Sequence, residues 1–346
     1  MIAAVLEKLS EPLEFHELIV PDLNYGQVLV ELKYSGICGR QIQEIFGFKG
    51  EDKFLPHLLG HEGSGIIKKI GPGVSKCNIG DHVVLHWRES RGIQAEFPKY
   101  KSKTKKHMVI GGGLVTTFNS EAVISENRLT VIPKDASFKT AALLGCALTT
   151  ALGLVNNEAN IKIGQSVIII GAGSVGQSLV KACSMVSAHP IISVDIDDSK
   201  LNFSKELGAV YSININKENY TEQIKKILGS KGADVIIDTV GNTKIINESY
   251  FLCAEEGKLI LVGQPRYNED LTFKNISRGF KGINIFDSLG GKTNPDKDIF
   301  RYLKLEESKK YNFEKLVSDI FKINDINKAI ELVKNNKIKS KALIKF

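Results

Sequence analysis

The sequence feature that most constrains the fold is a glycine pattern near the middle of the chain. This GxGxxG motif occupies residues 171–176, and its predicted cofactor-binding residues are Gly171, Gly173, Ser174, Val175 and Gly176. An apolar run, SVIII, precedes the motif, and a helical pattern begins just after it at Gln177. A strand, a glycine turn and a helix in this order place backbone N–H groups and a helix N-terminus against a pyrophosphate. The segment therefore predicts a dinucleotide-binding turn.

Short apolar strands continue to alternate with amphipathic helices as far as the segment KLILVG. Such alternation predicts a doubly wound α/β domain with a parallel sheet. Asp195 ends the next strand, IISVD, at the spacing where an acidic side chain meets the adenosine ribose. Its carboxylate would repel a ribose phosphate by roughly 4 kcal/mol at ~4 Å, which favours NAD over NADP. Lys200, downstream, would soften this repulsion, and an ordinary strand-end turn is the alternative role for Asp195.

The N-terminal part of the chain has a different rhythm. Between residues 2 and 133, short apolar strands are separated by turn residues, which predicts an antiparallel, barrel-like domain. Residues 140–155 have the composition of a helix and are predicted to connect the two domains. With 346 residues the chain exceeds the size at which one core usually stops growing, so two domains are expected. The pattern alone leaves open which domain the C-terminal segment joins.

Charge and composition narrow the classes of partner. The formal net charge is +7, but no basic recognition helix or zinc finger accompanies it, so no nucleic-acid partner is expected. An anionic small substrate and a surface solvated by excess lysine both remain open as explanations. No apolar run approaches the ~20 residues of a membrane span, and no secretory leader is recognisable, so we expect no membrane partner and a cytoplasmic location. Five widely spaced cysteines are expected to be core residues, free thiols or metal ligands.

Several further motifs point to one known family. Cys38 lies in YSGICG and His61 in LLGHEGSG, and these are followed by GPGV, GDHVV and LLGCALTTALG, the last of which contains Cys146. In this order, and with the GAGSVG turn, the motifs resemble those of the zinc-containing alcohol dehydrogenases of the medium-chain dehydrogenase/reductase superfamily. The resemblance covers nearly the whole chain. It implies a GroES-like catalytic domain at residues 1–150, to which residues 287–346 return, and a Rossmann domain at residues 151–286.

The resemblance also implies a set of site residues. The expected residues at one catalytic zinc are Cys38, His61 and Cys146 as ligands, and Glu62 as an outer or transient ligand. Three protein ligands leave a fourth position for water or substrate, where the metal acidifies an alcohol so that hydride can pass to NAD. The expected cofactor contacts are Thr150, Val240 and Val262 around the nicotinamide, and Lys341 where many relatives place an arginine facing the pyrophosphate. Lysine keeps the charge of that arginine and loses its bidentate geometry.

The chain departs from the family pattern after its first zinc cysteine. It reads Cys38-Gly39-Arg40-Gln41 where relatives carry a hydroxyl residue and then an aspartate. In relatives the hydroxyl starts a relay that removes the proton of the zinc-bound alcohol, and Arg40 cannot accept a proton at ordinary pH. We therefore expect either a proton relay through His86 or water, or a substrate whose anionic group pairs with Arg40. Gln41 can accept the ring N–H of the zinc-ligating imidazole, but without the charge of a carboxylate.

A second departure concerns the segment after the strand VVLHW. Many relatives carry four closely spaced cysteines for a structural zinc there, and this chain has none, which predicts one zinc per subunit. Basic residues are concentrated in the replacement segment: Arg88, Arg91, Lys99, Lys101, Lys103, Lys105 and Lys106. The two arginines, with Trp87, are candidates for a phosphate or nucleotide site, and a solvated loop is the alternative.

These features predict an enzyme that oxidises an alcohol to the carbonyl, or reverses that reaction. A polyol or sugar-type substrate is expected, with a phosphorylated or nucleotide-linked form as one possibility. A simple primary or secondary alcohol dehydrogenase and a non-catalytic NAD-binding relative are the alternatives. The resemblance further implies a homodimer or a homotetramer.

Overall fold

A computed structural model of the chain describes residues 1–273, 280–308 and 311–346. The chain divides into two compact units: Met1–Thr149 together with Asn294–Phe346, and Thr150–Thr293. The strands are β1 (Ile2–Leu6), β2 (Glu14–Ile19), β3 (Gln27–Gly36), β4 (His57–Leu58), β5 (Glu62–Ile70), β6 (His82–His86), β7 (Lys99–Ser102), β8 (Val109–Gly111), β9 (Glu121–Ser125), β10 (Leu129–Ile132), β11 (Val167–Ile170), β12 (Ile191–Asp195), β13 (Tyr211–Asn214), β14 (Ala233–Asp238), β15 (Cys253–Leu261), β16 (Asn284–Asp287), β17 (Val317–Lys322) and β18 (Lys341–Lys345). The α-helices are α1 (Gly39–Ile45), α2 (Phe138–Leu143), α3 (Ala147–Gly153), α4 (Ser174–Met185), α5 (Asp198–Leu207), α6 (Tyr220–Leu228), α7 (Thr243–Tyr250), α8 (Pro295–Glu307) and α9 (Ile326–Lys334).

The first unit contains two β-structures. Strands β1, β2, β7, β8 and β4 form a closed barrel, and a second sheet has the order β10–β6–β5–β3–β18–β17, with β9 also paired to β3. The C-terminal strand β18 runs antiparallel to β3, with Leu343 opposite Gly36. Apolar side chains such as those of Ala3 and Val5 are fully buried, as expected for strands whose inner faces form a core. Sequence-distant segments thus meet in one sheet.

The second unit is built around a parallel sheet of order β13–β12–β11–β14–β15–β16. This is the strand order of a doubly wound dinucleotide-binding domain. All residues of Val167–Ile170 are buried, because helices cover both faces of a parallel sheet and its central strands carry continuous apolar runs. The predicted fold class, an antiparallel barrel-like domain with a doubly wound parallel-sheet domain, is therefore confirmed.

The helical stretch predicted at residues 140–155 is interrupted in the structure. Helix α2 ends at Leu143 and helix α3 begins at Ala147, so Cys146 lies in the turn between them. Gly145 permits this turn to approach β5 and β6, since a Cβ there would lie 2.5 Å from the Leu85 carbonyl oxygen and 2.7 Å from Glu62 Cα. Close backbone contact at Gly145 therefore brings Cys146 next to the strand that begins at Glu62.

Within the second unit, Gly153 lies against a later segment of the same unit. A Cβ on Gly153 would lie only 2.4 Å from the Gly291 carbonyl oxygen. Two segments from opposite ends of this unit are thus in direct contact. Across the described ranges, no helix combines the length and apolar character needed to cross a membrane.

Candidate active site

The structure brings together three of the predicted zinc ligands. Cys38 immediately precedes α1, His61 immediately precedes β5, and Cys146 occupies the turn between α2 and α3. One side-chain ligand atom from each residue lies within 4.8 Å of the other two. Two sulfurs and one imidazole nitrogen are donors that zinc prefers, and three protein donors leave one position open.

Gln41 links two members of this cluster. Its Oε1 accepts the backbone N–H of Cys38 at 2.8 Å, and its amide nitrogen contacts His61 Nδ1. The sequence predicts an oxygen of Gln41 opposite the ring, whereas the structure places the nitrogen there. A metal on Nε2 of His61 leaves the ring proton on Nδ1, so metal binding requires the amide to present its oxygen to the ring. Nε2 of His61 is buried and has no hydrogen-bond partner among the residues described. An unpartnered imidazole nitrogen beside two sulfurs fits a metal ligand.

The two cysteines are electrostatically coupled. A hydrogen bond between their side chains lowers the pKa of Cys38 and raises the pKa of Cys146. The two sulfurs are therefore close enough to interact directly. A divalent cation would stabilise the thiolate form of each, because a coordinating thiol is deprotonated. The donor set thus fits a catalytic zinc.

Glu62 was expected at the metal, but it is not part of this cluster. Its Oε1 forms an ion pair with Lys341 Nζ, and the two side chains are 0% and 1% exposed. Burial raises the pKa of Glu62. Burial also acts to lower the pKa of Lys341, but the negative charges of Glu62 and Cys38 outweigh it, and the pKa of Lys341 is raised.

The sequence predicts that Lys341 faces the cofactor pyrophosphate, and in the structure its ammonium group is buried in the first unit and paired with Glu62. The reason is the position of β18 beside β3, where Gly36 has no side chain. A Cβ on Gly36 would lie 2.7 Å from both Lys341 Cε and Glu62 Cδ. The missing side chain creates the space that Lys341 fills. Contact of Lys341 with a cofactor stays a prediction.

The relay residues suggested by the sequence have different positions. Arg40 is exposed near the start of α1, and its anion-pairing role stays a prediction. His86 is buried, with Nδ1 2.8 Å from the Arg88 carbonyl oxygen and Nε2 3.0 Å from Thr130 Oγ1. Burial lowers the pKa of His86 to about 3. The suggested relay through His86 is therefore wrong, because both ring nitrogens are engaged inside the core.

The candidate anion site at Arg88 and Arg91 is not assembled in the structure. Arg88 is buried, donates to Thr149 Oγ1 at 3.0 Å and stacks over Trp87, 4.7 Å from the ring centroid. Arg91 is 88% exposed and its Nε lies 3.6 Å from Asp296 Oδ2. One guanidinium thus lies inside the fold and the other lies in solvent. The structure therefore does not bring the two guanidinium groups together, because Arg88 packs against Thr149 and Trp87 while Arg91 is exposed beside Asp296. A phosphate-binding role for either arginine stays a prediction.

A cavity of about 720 Å³ opens in the first unit, and His61 and Gln41 belong to its wall. Much of the remaining wall is apolar: Leu58, Leu59, Phe97, Pro98, Leu114 and Val115. His57, also in the wall, places its Nε2 2.8 Å from Asp52 Oδ2. Sequence reasoning missed this region; a histidine with acidic residues upstream of LLGHEG was the available signal.

The glycine turn of the second unit has the geometry that its motif predicts. Gly171 has a φ of +92°, which favours glycine, and a Cβ on Gly176 would lie 1.8 Å from the Gly171 carbonyl oxygen. Gly173 precedes α4, and within the described ranges no atom lies within 4 Å of its Cβ position. The turn is therefore tight on one side and open beside a helix N-terminus, which fits a bound phosphate group.

Asp195 lies at the end of β12 and contacts this turn. Its Oδ2 accepts the backbone N–H of Ala172 at 2.6 Å. The remaining predicted cofactor residues lie at these places: Thr150 buried in α3, Lys200 buried in α5, Val240 half-exposed after β14, and Val262 after β15. Ser174 and Val175 form the first turn of α4. The cofactor roles of all these residues stay predictions.

Fold and site geometry together fit an oxidoreductase with a cluster of metal-ligating side chains in one unit and a dinucleotide-binding type of turn in the other. Residues 24–134 match the alcohol dehydrogenase GroES-like domain, and residues 174–307 match the zinc-binding dehydrogenase domain. The chain belongs to the zinc-containing alcohol dehydrogenase family of the medium-chain dehydrogenase/reductase superfamily, and it is an oxidoreductase acting on CH–OH groups. The family implies zinc and NAD as cofactors and a small alcohol as substrate.

Individual relatives are similar over their full lengths. The class-3 alcohol dehydrogenase of Cereibacter sphaeroides is 26% identical, with 96% of each chain covered. The S-(hydroxymethyl)glutathione dehydrogenase of Paracoccus denitrificans is 27% identical, again with 96% of each chain covered. The crystal structure of benzyl alcohol dehydrogenase from Acinetobacter calcoaceticus superimposes with a TM-score of 0.88 at 26% identity, covering 100% of this chain and 99% of that one.

Proposed function

We propose that this chain interconverts an alcohol and its carbonyl compound with one zinc ion held by Cys38, His61 and Cys146, and with NAD bound at residues 171–176. The observation that carries the proposal is the convergence of three ligand atoms within 4.8 Å from segments far apart in the sequence. Nε2 of His61, which is buried and has no partner in the described part of the chain, supports it further. A second, structural zinc is not expected, because the segment after β6 lacks cysteines.

Zinc, NAD and the protein side chains have separate roles in the proposed reaction. When bound, zinc would supply a Lewis acid for the alcohol or carbonyl oxygen, and NAD would supply the hydride acceptor or, as NADH, the donor. Gln41 fixes the ring of His61 and the backbone of Cys38, so it orients two of the three ligands at once. The turn at Gly173 leaves the N-terminus of α4 open for the pyrophosphate. Asp195 stabilises that turn by accepting the backbone N–H of Ala172.

An alcohol with an apolar body suits the cavity, because most ligand pockets bind apolar groups on apolar walls and orient them with few polar contacts. Benzyl alcohol, named for one relative, carries a hydroxymethyl group on an apolar ring, whereas S-(hydroxymethyl)glutathione, named for another, carries it on a charged peptide. We propose a substrate of the first form, with a hydroxymethyl group on an apolar body. A polyol or sugar-type substrate, phosphorylated or nucleotide-linked, is the second candidate. Three lysines of the same wall support an anionic group, Lys49, Lys53 and Lys99, and three acidic side chains there oppose it, Glu44, Glu51 and Asp52.

Zinc content and NADH formation test the proposal together. The purified protein should contain close to one zinc per chain, and Cys146→Ser should lose both the metal and NADH formation. Cys77→Ser is the matched control, since Cys77 is a buried cysteine of the same unit outside the ligand cluster. Equal zinc loss in both variants, or a metal-free wild-type protein with no NADH formation, would favour the non-catalytic NAD-binding alternative.

A panel of alcohols then separates the substrate candidates. Benzyl alcohol, S-(hydroxymethyl)glutathione, simple short alcohols, a diol, a polyol and its phosphate should be compared by kcat/KM with NAD. A preference for the phosphorylated polyol would replace our apolar-bodied substrate with the second candidate. The homodimer or homotetramer proposed from the family is measured on the same protein by sedimentation.

A further inference from the structure

Three metal-ligating side chains outside the predicted zinc site lie together in the wall of the cavity in the first unit. Glu44 belongs to helix α1, His57 belongs to strand β4, and Asp52 lies in the segment between them. One ligand atom from each residue, an imidazole nitrogen or a carboxylate oxygen, lies within 4.8 Å of the other two. The side chains of His57 and Asp52 are only 12% and 14% exposed. Three separate segments therefore bring potential ligands to a second point of this cavity.

The ring of His57 has the orientation of a metal ligand. Its Nδ1 lies 2.9 Å from the Leu58 carbonyl oxygen, which can only accept, so Nδ1 carries a proton and donates it. Metal-ligating histidines almost always donate their second ring N–H in this way, and the lone pair of the other nitrogen then binds the metal. In His57 that other nitrogen is Nε2, and it points at Asp52 Oδ2, 2.8 Å away.

The contact between His57 Nε2 and Asp52 Oδ2 has two chemical explanations. Either the ring carries a second proton and forms an ion pair, or both atoms present lone pairs to a shared cation. Two ligand atoms at right angles on an ion, with bonds of about 2.1 Å, lie about 3 Å apart, close to the observed 2.8 Å. Glu44 favours the cation, because two carboxylates and a neutral imidazole balance a divalent charge, whereas one carboxylate is sufficient for an imidazolium.

We propose that Glu44, Asp52 and His57 form a second divalent-cation site, suited to first-row ions such as Co²⁺, Mn²⁺ or Zn²⁺. Imidazole and carboxylate groups are ordinary ligands of these ions, and three protein donors leave further positions to water or to an oxygen of a molecule in the cavity. The site binds more weakly than the predicted zinc site, because it has no thiolate and because Lys49 Nζ, 3.5 Å from Glu44 Oε2, competes for that carboxylate. Protein purified without added metal therefore keeps the second site unfilled. This inference does not depend on the proposed function.

Titration of the zinc-loaded protein with cobalt(II) tests this site. Cobalt bound by thiolates absorbs strongly in the near ultraviolet, whereas cobalt on nitrogen and oxygen donors gives only weak visible bands. We expect about one equivalent of cobalt to bind with weak visible bands alone. Asp52→Asn and His57→Gln should each lower its affinity about 10-fold or more, because affinity depends on the number and charge of the ligands. Lys49→Met should raise the affinity, because it removes the competing ammonium group.

A matched control separates ligation from a general loss of negative charge. Glu51 lines the same cavity but lies outside the cluster, so Glu51→Gln should bind cobalt with the wild-type affinity. Should His57→Gln fail to fold, Glu44→Gln carries the same comparison, because it removes a ligand charge with little change in shape.

The outcomes distinguish this inference from the proposed function. The second site is refuted if the zinc-loaded protein takes up no further cobalt, or if Asp52→Asn and Glu51→Gln bind cobalt equally. It is also refuted if added cobalt binds only with strong near-ultraviolet absorption, because the cysteines are then its sole site. Failure of the predicted zinc site has another signature: the protein retains no zinc, while cobalt still binds with weak visible bands that depend on Asp52.

Discussion

Replacement of Asp195 by asparagine removes a negative charge from the end of β12 with little change in shape. In the structure this carboxylate accepts three backbone N–H groups: Oδ2 accepts Ala172 at 2.6 Å, and Oδ1 accepts Ile196 at 2.8 Å and Asp197 at 3.0 Å. The Asp195 carboxylate therefore stabilises the glycine turn in addition to its predicted contact with the ribose. Loss of the turn contact weakens NAD and NADP binding alike, whereas loss of the charge affects only the preference between them.

The size of the preference follows from Coulomb's law. Two unit charges ~4 Å apart at a surface-like dielectric of about 20 repel by roughly 4 kcal/mol. This corresponds to a factor of about 1,000 in the ratio of kcat/KM for NAD over NADP. The three N–H groups spread part of the carboxylate charge, so we expect Asp195→Asn to lower the ratio by about 100- to 1,000-fold.

Steady-state kinetics with both cofactors and one alcohol measure this ratio. Asp198→Asn is the matched control, because Asp198 is an exposed carboxylate three residues further on that pairs with Lys217 and accepts from Asn214 at 2.7 Å. We expect it to leave the ratio within about threefold, since exposed charges are strongly screened. An unchanged ratio in Asp195→Asn, or equal changes in the two variants, would refute the assignment of Asp195 to the ribose.

Three further predictions concern stability and metal binding. Burial raises the pKa of Asp238 to about 6 from 3.8, so the folded state loses stability as pH rises from about 4 to about 6, by about 3 kcal/mol in total. In urea unfolding, Asp238→Asn should gain stability relative to wild type over this pH range, and parallel curves for the two proteins would contradict this. Gln41→Leu should weaken zinc binding about 10- to 100-fold in chelator competition, with Gln43→Leu as the neighbouring control, since the amide orients two ligands. Glu126→Ala should cost about 3 kcal/mol or more of unfolding free energy, because its buried carboxylate accepts the N–H groups of Ser75, Lys76 and Ile93; a loss under about 1 kcal/mol would refute that role.

Local requirements made part of this protein predictable from sequence. The turn requires a positive φ at Gly171 and a close backbone approach at Gly176, and both requirements favour glycine over residues with a side chain. The turn is therefore recognisable in the sequence from its glycines. The buried strand β11 is likewise visible as an uninterrupted apolar run. Cys38 and His61 were found through motifs that resemble a family, because a metal ligand looks like any cysteine or histidine when it is taken alone.

Long-range packing explains what the sequence did not predict. A lysine in a strand is expected at the surface, and the burial of Lys341 depends on β18 lying beside Gly36, which is far earlier in the chain. The same limit applies to His86, since residues from Val83 to His86 are all buried and the strand shows no alternation. Side-chain direction at such positions is decided by the neighbouring elements, which no local pattern encodes.

The contact of Gly153 with Gly291 has a consequence for how the chain folds. The Thr150–Thr293 unit is inserted between the two segments that build the other unit, and this contact ties the beginning of the insertion to its end. The entropy lost on closing a loop grows with the length of the loop. Once the inserted unit has formed, the two flanking segments are joined by a short connection. Less loop-closure entropy is then lost when the C-terminal strand β18 pairs with β3.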